Sequence, residues 1–335
     1  MIGRVLLGLA GGLLLGAAPA GPDVKRLLAA EPAPTLGAYR LFSDRAANSP
    51  AAGVERYTLN TPLFTDHAAK ERLAYLPAGT AARVGADGKI EWPVGATLIK
   101  HFEYGEGTSF RRLETRLLIR RADGWAPVSY VWNAAGTEAK LQRAGMTIPM
   151  TVAIAGKLVS FDYNVPNQNQ CKQCHQQAGA VTPIGPGLAN LNDGVQLQRW
   201  VASGRLAALP AALPKLARWD DAAEPVAMRA RAWLDVNCGH CHSRAGFASN
   251  SGLYLQHDEP DATHLGVGKR PVAAGRGSGG HSFGIVPGDP DASILVHRLE
   301  STEAGVMMPQ FGRTLVDTEA AALIRAWIET MPPAA

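Results

Sequence analysis

The chain has 335 residues, 46% of them hydrophobic and 19% charged, with a formal net charge of +4. That composition is ordinary for a globular protein. The mildly basic balance favours docking on an acidic partner, and the absence of any Lys/Arg run or aromatic–basic interleaving argues against nucleic-acid binding.

The first segment, MIGRVLLGLAGGLLLGAAPA, puts Arg4 before an apolar run from Val5 to Ala17 and ends in Ala18-Pro19-Ala20. This is the layout of a cleaved secretory signal over residues 1–20. The run is too short and too rich in Gly and Ala for a span, which needs about 20 residues. A soluble, exported, periplasmic protein is therefore expected. Residues 21–40 are rich in Pro and Ala and read as a loosely ordered leader.

Residues 41–166 read as a β-rich domain, a sandwich or an open barrel. TLIKHFEY, RRLETRLLIRR, PVSYVWN and MTIPMTVAIAGKLVSFDYNVP carry β-branched and aromatic residues in partial alternation. GADGKI and RADGWA each hold an Asp-Gly hairpin signal. The aromatics Tyr75, Trp92, Phe102, Tyr104, Trp125, Tyr130 and Trp132 are expected in its core.

All four cysteines fall in two copies of one motif, Cys171-Lys-Gln-Cys174-His175 and Cys238-Gly-His-Cys241-His242. C-x-x-C-H is the attachment signature of c-type haem. Two thiols at this spacing add to the two vinyl groups on one porphyrin edge, and the adjacent imidazole reaches the iron. In an oxidising compartment paired cysteines usually form disulfides. A disulfide, a thioredoxin-like site or a four-cysteine zinc site would leave both histidines unexplained. Two haem c groups are expected, with Cys171, Cys174, Cys238 and Cys241 as anchors and His175 and His242 as axial ligands. His240, between two cysteines, is expected to stay off the iron.

Residues 167–222 read as a truncated first haem unit and 223–335 as a second. DGVQLQRWVASG predicts a helix ended by Gly204, and EPVAMRARAWLDVNCGHCH a helix leading into the second motif. DTEAAALIRAWIETM predicts a last helix, with Asp317 as N-cap and Leu323, Ile324, Trp327, Ile328 and Met331 on one face. A helix before the haem motif and another at the C-terminus resemble the class I cytochrome c arrangement. Such a domain ends with a distal methionine just before a proline. In GVMMPQFGR that residue is Met308, with Met307 as the fallback.

The sixth ligand of haem 1 stays open. Only 67 residues separate His175 from His242, and no methionine lies between His175 and Met228. Met228, Met146, Met150, His67 and His101 are candidates, as is an open position. The loop GVGKRPVAAGRGSGGHSFGIVPGDP fits G-x-G-x-x-G at Gly275, Gly277 and Gly280, but no strand precedes the match and no helix opens from it. It reads as a loop wrapping haem 2, with Lys269 or Arg276 near the propionates. Asp291 is expected to cap the short helix ASILVHRLE, and His257, His264, His281 and His297 to sit at the surface.

LFTDHAAKERLAYLPAGT, LETRLLI, YVWNAAGTEAKL, VPNQNQCKQCH, RARAWLDVNCGHCH, PVAAGRGSGG and MMPQFGR together resemble a family of exported bacterial dihaem c-type cytochromes. The resemblance runs from about Leu41 to Met331. It implies an α+β multidomain chain: a β-rich, sandwich-like N-terminal domain, then a mainly α-helical haem region like class I cytochrome c. It also implies a periplasmic redox protein, and two haems would pass electrons between other redox proteins, a dehydrogenase or a cytochrome. The function expected is single-electron transfer. The alternatives are a dihaem peroxidase-like enzyme with an open distal site on haem 1, and a module whose β-rich part recognises a partner while the haems deliver electrons.

Overall fold

The computed structural model describes residues 21–85 and 88–332. The expected signal segment, residues 1–20, lies outside the described residues. Among those described, no helix is long and apolar enough to cross a membrane.

The chain is α+β. Helix α1 (Val24–Leu28) leads to a six-stranded antiparallel sheet. Its strands, in spatial order, come from β1 (Val54–Arg56), β2 (Arg72–Tyr75), then, after the small hairpin β3 (Arg83–Val84) and β4 (Ile90–Glu91), from β5 (Thr97–Tyr104), β6 (Arg111–Arg121), β7 (Gly124–Trp132) and β8 (Ala139–Leu141). A two-stranded ribbon follows, β9 (Met146–Ile154) with β10 (Lys157–Val165). Ala155 and Gly156 close it with φ of 47° and 76°, the left-handed pair that a type I′ hairpin requires. The Asp123-Gly124 signal falls at the β6–β7 hairpin, while Asp87 of the other lies outside the described residues.

Period-2 alternation explains both faces of the sheet. On one face Leu73, Tyr75, Ile99, Leu117, Ile119, Val128, Tyr130 and Trp132 form a core with Leu27, Ala33, Leu36, Tyr39 and Leu41. Residues 21–40 are thus not a loose leader. Asp23 caps α1 by accepting from Arg26 N at 3.0 Å, and Leu141 N donates to Pro34 O at 3.0 Å. Burial of Leu27, Leu36 and Tyr39, each contributing about 1.5–3 kcal/mol, outweighs the Pro/Ala composition. On the other face, Ala74, Leu76, Leu98 and Leu118 pack with Trp92 and with Leu188, Leu191, Leu197, Trp200 and Leu206. The β9–β10 ribbon covers a further part through Met150, Tyr163 and Val165 against Phe102, Tyr104 and Leu113. This is one open sheet covered by unlike layers rather than two matched sheets or a barrel. Six of the seven expected core aromatics are buried; Trp125 is partly buried at a cavity wall.

After β10 come α2 (Gln168–His175), the short hairpin β11 (Gln176–Gln177) and β12 (Ala180–Val181), α3 (Leu188–Leu191) and α4 (Gln196–Ala202). Gly204, with φ 71°, ends α4 as expected. These elements share the core of the sheet, so residues 167–222 do not bury themselves apart from it. Then follow α5 (Val226–Leu234), α6 (Ile294–Glu300) and α7 (Thr318–Glu329). The 3.6-residue apolar periods of α5 and α7 meet in one core: Ala230, Trp233 and Leu234 against Ala320, Leu323, Ile324, Trp327 and Ile328. Asp317 caps α7 through Ala320 N at 3.0 Å. Asp291 does not cap α6. Its carboxylate pairs with Arg325 at 2.6 Å, and Asp289 takes the Ala292 N–H instead.

Candidate functional site

Each C-x-x-C-H motif follows from its local chain. Asn167 and Gln170 form a reciprocal capping box at 2.9 Å each, which starts α2. Cys171, Cys174 and His175 then fall at i, i+3 and i+4, on one helix face. In the second motif α5 runs into a single π-turn over Asp235–Gly239. Such turns redirect a helix locally. Asn237, buried beside Cys238, accepts from Phe64 N at 2.7 Å and donates to Trp233 O at 3.0 Å.

The two motifs touch. Ala178 N donates to Ala245 O at 2.8 Å, and Gln177 Nε2 donates to His240 O at 2.8 Å. The Cys174 and Cys241 thiols interact: Cys241 and the nearby His240 pull Cys174 down, while Cys174 and burial push Cys241 up. All four thiols are free.

Both motif histidines are held the same way. His175 Nδ1 lies 2.9 Å from Thr182 O, a group that only accepts, so Nδ1 carries the proton and Nε2 keeps its lone pair. His242 Nδ1 lies 3.2 Å from Ser251 Oγ, whose own proton goes to Ala248 O at 2.7 Å. The same tautomer results. Burial pushes both imidazoles down to about 4, so they are neutral, the form that binds metal.

One cavity of about 1410 Å³ is lined by all six motif residues. It exceeds the 300–1,000 Å³ usual for a single small-molecule site. Met308 lines it and Met307 does not. Met308 N donates to Arg298 O at 2.9 Å, and its carbonyl accepts from Arg313 Nη2 at 2.8 Å and Nε at 3.2 Å. The Gly-rich loop wraps the cavity through Lys269, Arg270 and residues 271–274. Arg276 does not; it faces outward and pairs with Glu303 at 3.0 Å.

None of the five candidates for the sixth ligand of haem 1 lines this cavity. Met228 is 50% exposed on α5, and Met146 is 45% exposed on the ribbon. Met150 packs with Phe102 and Tyr104. His101 is fully buried on the opposite face of the sheet, 2.6 Å from Thr115 Oγ1. His67 is exposed beside Phe64. His240 does line the cavity, next to Cys174. Of the four histidines expected at the surface, His257 and His264 instead face carboxylates, Asp235 at 3.6 Å and Glu259 at 3.1 Å.

Among the described residues no three His, Cys, Asp or Glu side chains converge as a metal cage. The residues fit haem instead, which needs paired thiols, one imidazole with a free Nε2 and a large apolar pocket. Sequence reasoning missed Thr182, Ser251, Arg313 and Asp66, which orient the candidate ligands from afar. Arg313 and Asp66 sit inside the quoted segments MMPQFGR and LFTDHAAKERLAYLPAGT, but a residue string does not show what its side chains reach.

No protein-family model, curated protein or solved structure matches the chain.

Proposed function

We propose that the chain is an exported dihaem c-type cytochrome that carries single electrons between other periplasmic redox proteins, a dehydrogenase or a cytochrome. The observation that carries this reading is the shared cavity: two C-x-x-C-H motifs, hydrogen-bonded to each other, line one pocket with both Nε2 atoms unspent. A bound haem supplies a one-electron iron couple. The chain's residues do the rest. Cys171 and Cys174, and Cys238 and Cys241, supply thioether sulfurs. Thr182 O and Ser251 Oγ fix the planes of His175 and His242, as outer hydrogen bonds do for metal-bound imidazoles. Arg313 and Arg298 hold the main chain of Met308, whose thioether raises the potential of a histidine-ligated iron. The packing of α5 against α7 beside the second motif supports a class I-like unit there. The direct contact of the motifs keeps the two redox centres close, which favours electron exchange between them.

A second reading, a dihaem peroxidase-like enzyme with an open distal site on haem 1, draws on one observation. The five residues considered as sixth ligand all lie off the cavity. Optical and EPR spectra of the ferric protein, matured in a bacterial periplasm and recorded with and without peroxide, separate the two. Two low-spin haems inert to peroxide support the carrier. One high-spin haem that reacts with peroxide supports the enzyme.

A further inference from the structure

The sheet wall of the cavity carries a row of cations. Arg72 on β2 stands directly opposite Lys100 on β5, and Lys100 directly opposite Arg116 on β6. Parity along the strands places all three on the same face as Ala74, Leu98 and Leu118, and all three line the cavity. Like charges opposed across strands destabilise a sheet, and here they are also out of bulk water. Arg116 is compensated: its Nε and Nη2 each donate to Glu114 at 2.8 Å. Among the described residues no carboxylate hydrogen-bonds Arg72 or Lys100, and Glu114 acts on Lys100 only from a distance. Arg72 is 9% exposed; Nη1 donates to Lys70 O at 3.0 Å, while Nη2 is buried and unpartnered. A fourth cation, Lys70, lies beside them and donates to Ala68 O at 2.8 Å. Burial pushes Lys100 down to about 7, Arg72 and Arg116 adding to the push. A bound anion would reverse that cost.

We propose that Arg72, Lys100 and Arg116 form a binding site for a small diffusible oxyanion, of the phosphate, sulfate or carboxylate class, beside the first C-x-x-C-H motif. Arg116 lies near enough to act electrostatically on Cys174, and Lys100 and Arg116 on His175. Arg116 Nη1, Arg72 Nη2 and the Lys100 ammonium supply donors from three adjacent strands. Strands hold such donors more rigidly than loops do. The placement beside haem 1 rests on the dihaem reading; the cation row itself does not, because the sheet alone builds it.

The test is calorimetric titration of the matured full chain with inorganic phosphate and, separately, sulfate, at low and matched ionic strength. Haem content is measured independently by intact mass, so failure to load haem is read apart from failure to bind anion. The expected result is saturable binding at one site per chain, weakened tenfold or more in R72Q and in K100M and unchanged in R276Q. Two variants on different strands guard against one failing to fold. Absence of saturable binding overturns the proposal, as does binding that all three variants weaken equally. Absence of binding together with a changed haem 1 potential in R72Q would assign the cations to a propionate and overturn it too.

Discussion

The side-chain amide of Gln177 donates to the main-chain carbonyl of His240 at 2.8 Å, tying the residue two beyond one axial histidine to the centre of the other motif. With Ala178 N on Ala245 O, it joins the two motifs, and the thiols of Cys174 and Cys241 lie near enough to influence each other's protonation.

That contact has a consequence when haem is withheld. The two thiols are placed to oxidise to a disulfide, losing two electrons to the oxidising machinery of the export compartment. Protein exported without haem maturation is expected to carry a Cys174–Cys241 bond and free Cys171 and Cys238. Peptide mapping under non-reducing conditions checks this.

Met308 lines the cavity where Met307 does not. Met308→Ala should therefore lower the potential of one haem by on the order of 0.1 V, a small part of the ~0.8 V that axial ligands span. Met307→Ala should leave both potentials in place. A redox titration of each variant decides it.

Asp66, buried in the β-rich region, accepts from Thr314 N and Leu315 N at 2.7 Å each and pairs with Thr314 Oγ1 at 3.2 Å. It clamps the segment that follows Met308. Hydrogen bonds to a charged group contribute about 1.5–3 kcal/mol each, and buried donors left unmade cost similar amounts. Asp66→Ala should cost roughly 2–4 kcal/mol in denaturant unfolding and should loosen methionine ligation, seen as a growing high-spin fraction in the optical spectrum.

The buried imidazoles set a pH dependence in the chain without haem. His175 and His242 lie near 4 in the fold and near 6.5 when unfolded. Between those values the unfolded chain binds more protons, so stability rises with pH. Haem-free protein should lose stability as pH falls from about 6.5 to 4, with up to one proton per histidine. His175→Gln should remove part of the slope in urea midpoints measured against pH.

The sequence made α5, α7, the β6–β7 hairpin and both C-x-x-C-H motifs legible, because each is written in local spacing. Pro/Ala composition over residues 21–40 masks Leu27, Leu36 and Tyr39, which bury only against a distant sheet. Asp291 has the spacing of a cap, but its partner, Arg325, lies on another helix. The row of Arg72, Lys100 and Arg116 was invisible because it exists only once the strand register is known. The placement of His67, His101, Met146, Met150 and Met228 off the cavity was hidden for the same reason: such residues can be counted in a string, but only packing says which of them face the cavity.

The central claim is that both motifs anchor haem. Intact and peptide mass spectrometry of the chain matured in a periplasm with haem-attachment machinery tests it most directly. The account predicts two haems per chain, one on the peptide with Cys171 and Cys174 and one on the peptide with Cys238 and Cys241. A chain that folds and is exported there yet carries one haem or none would contradict it.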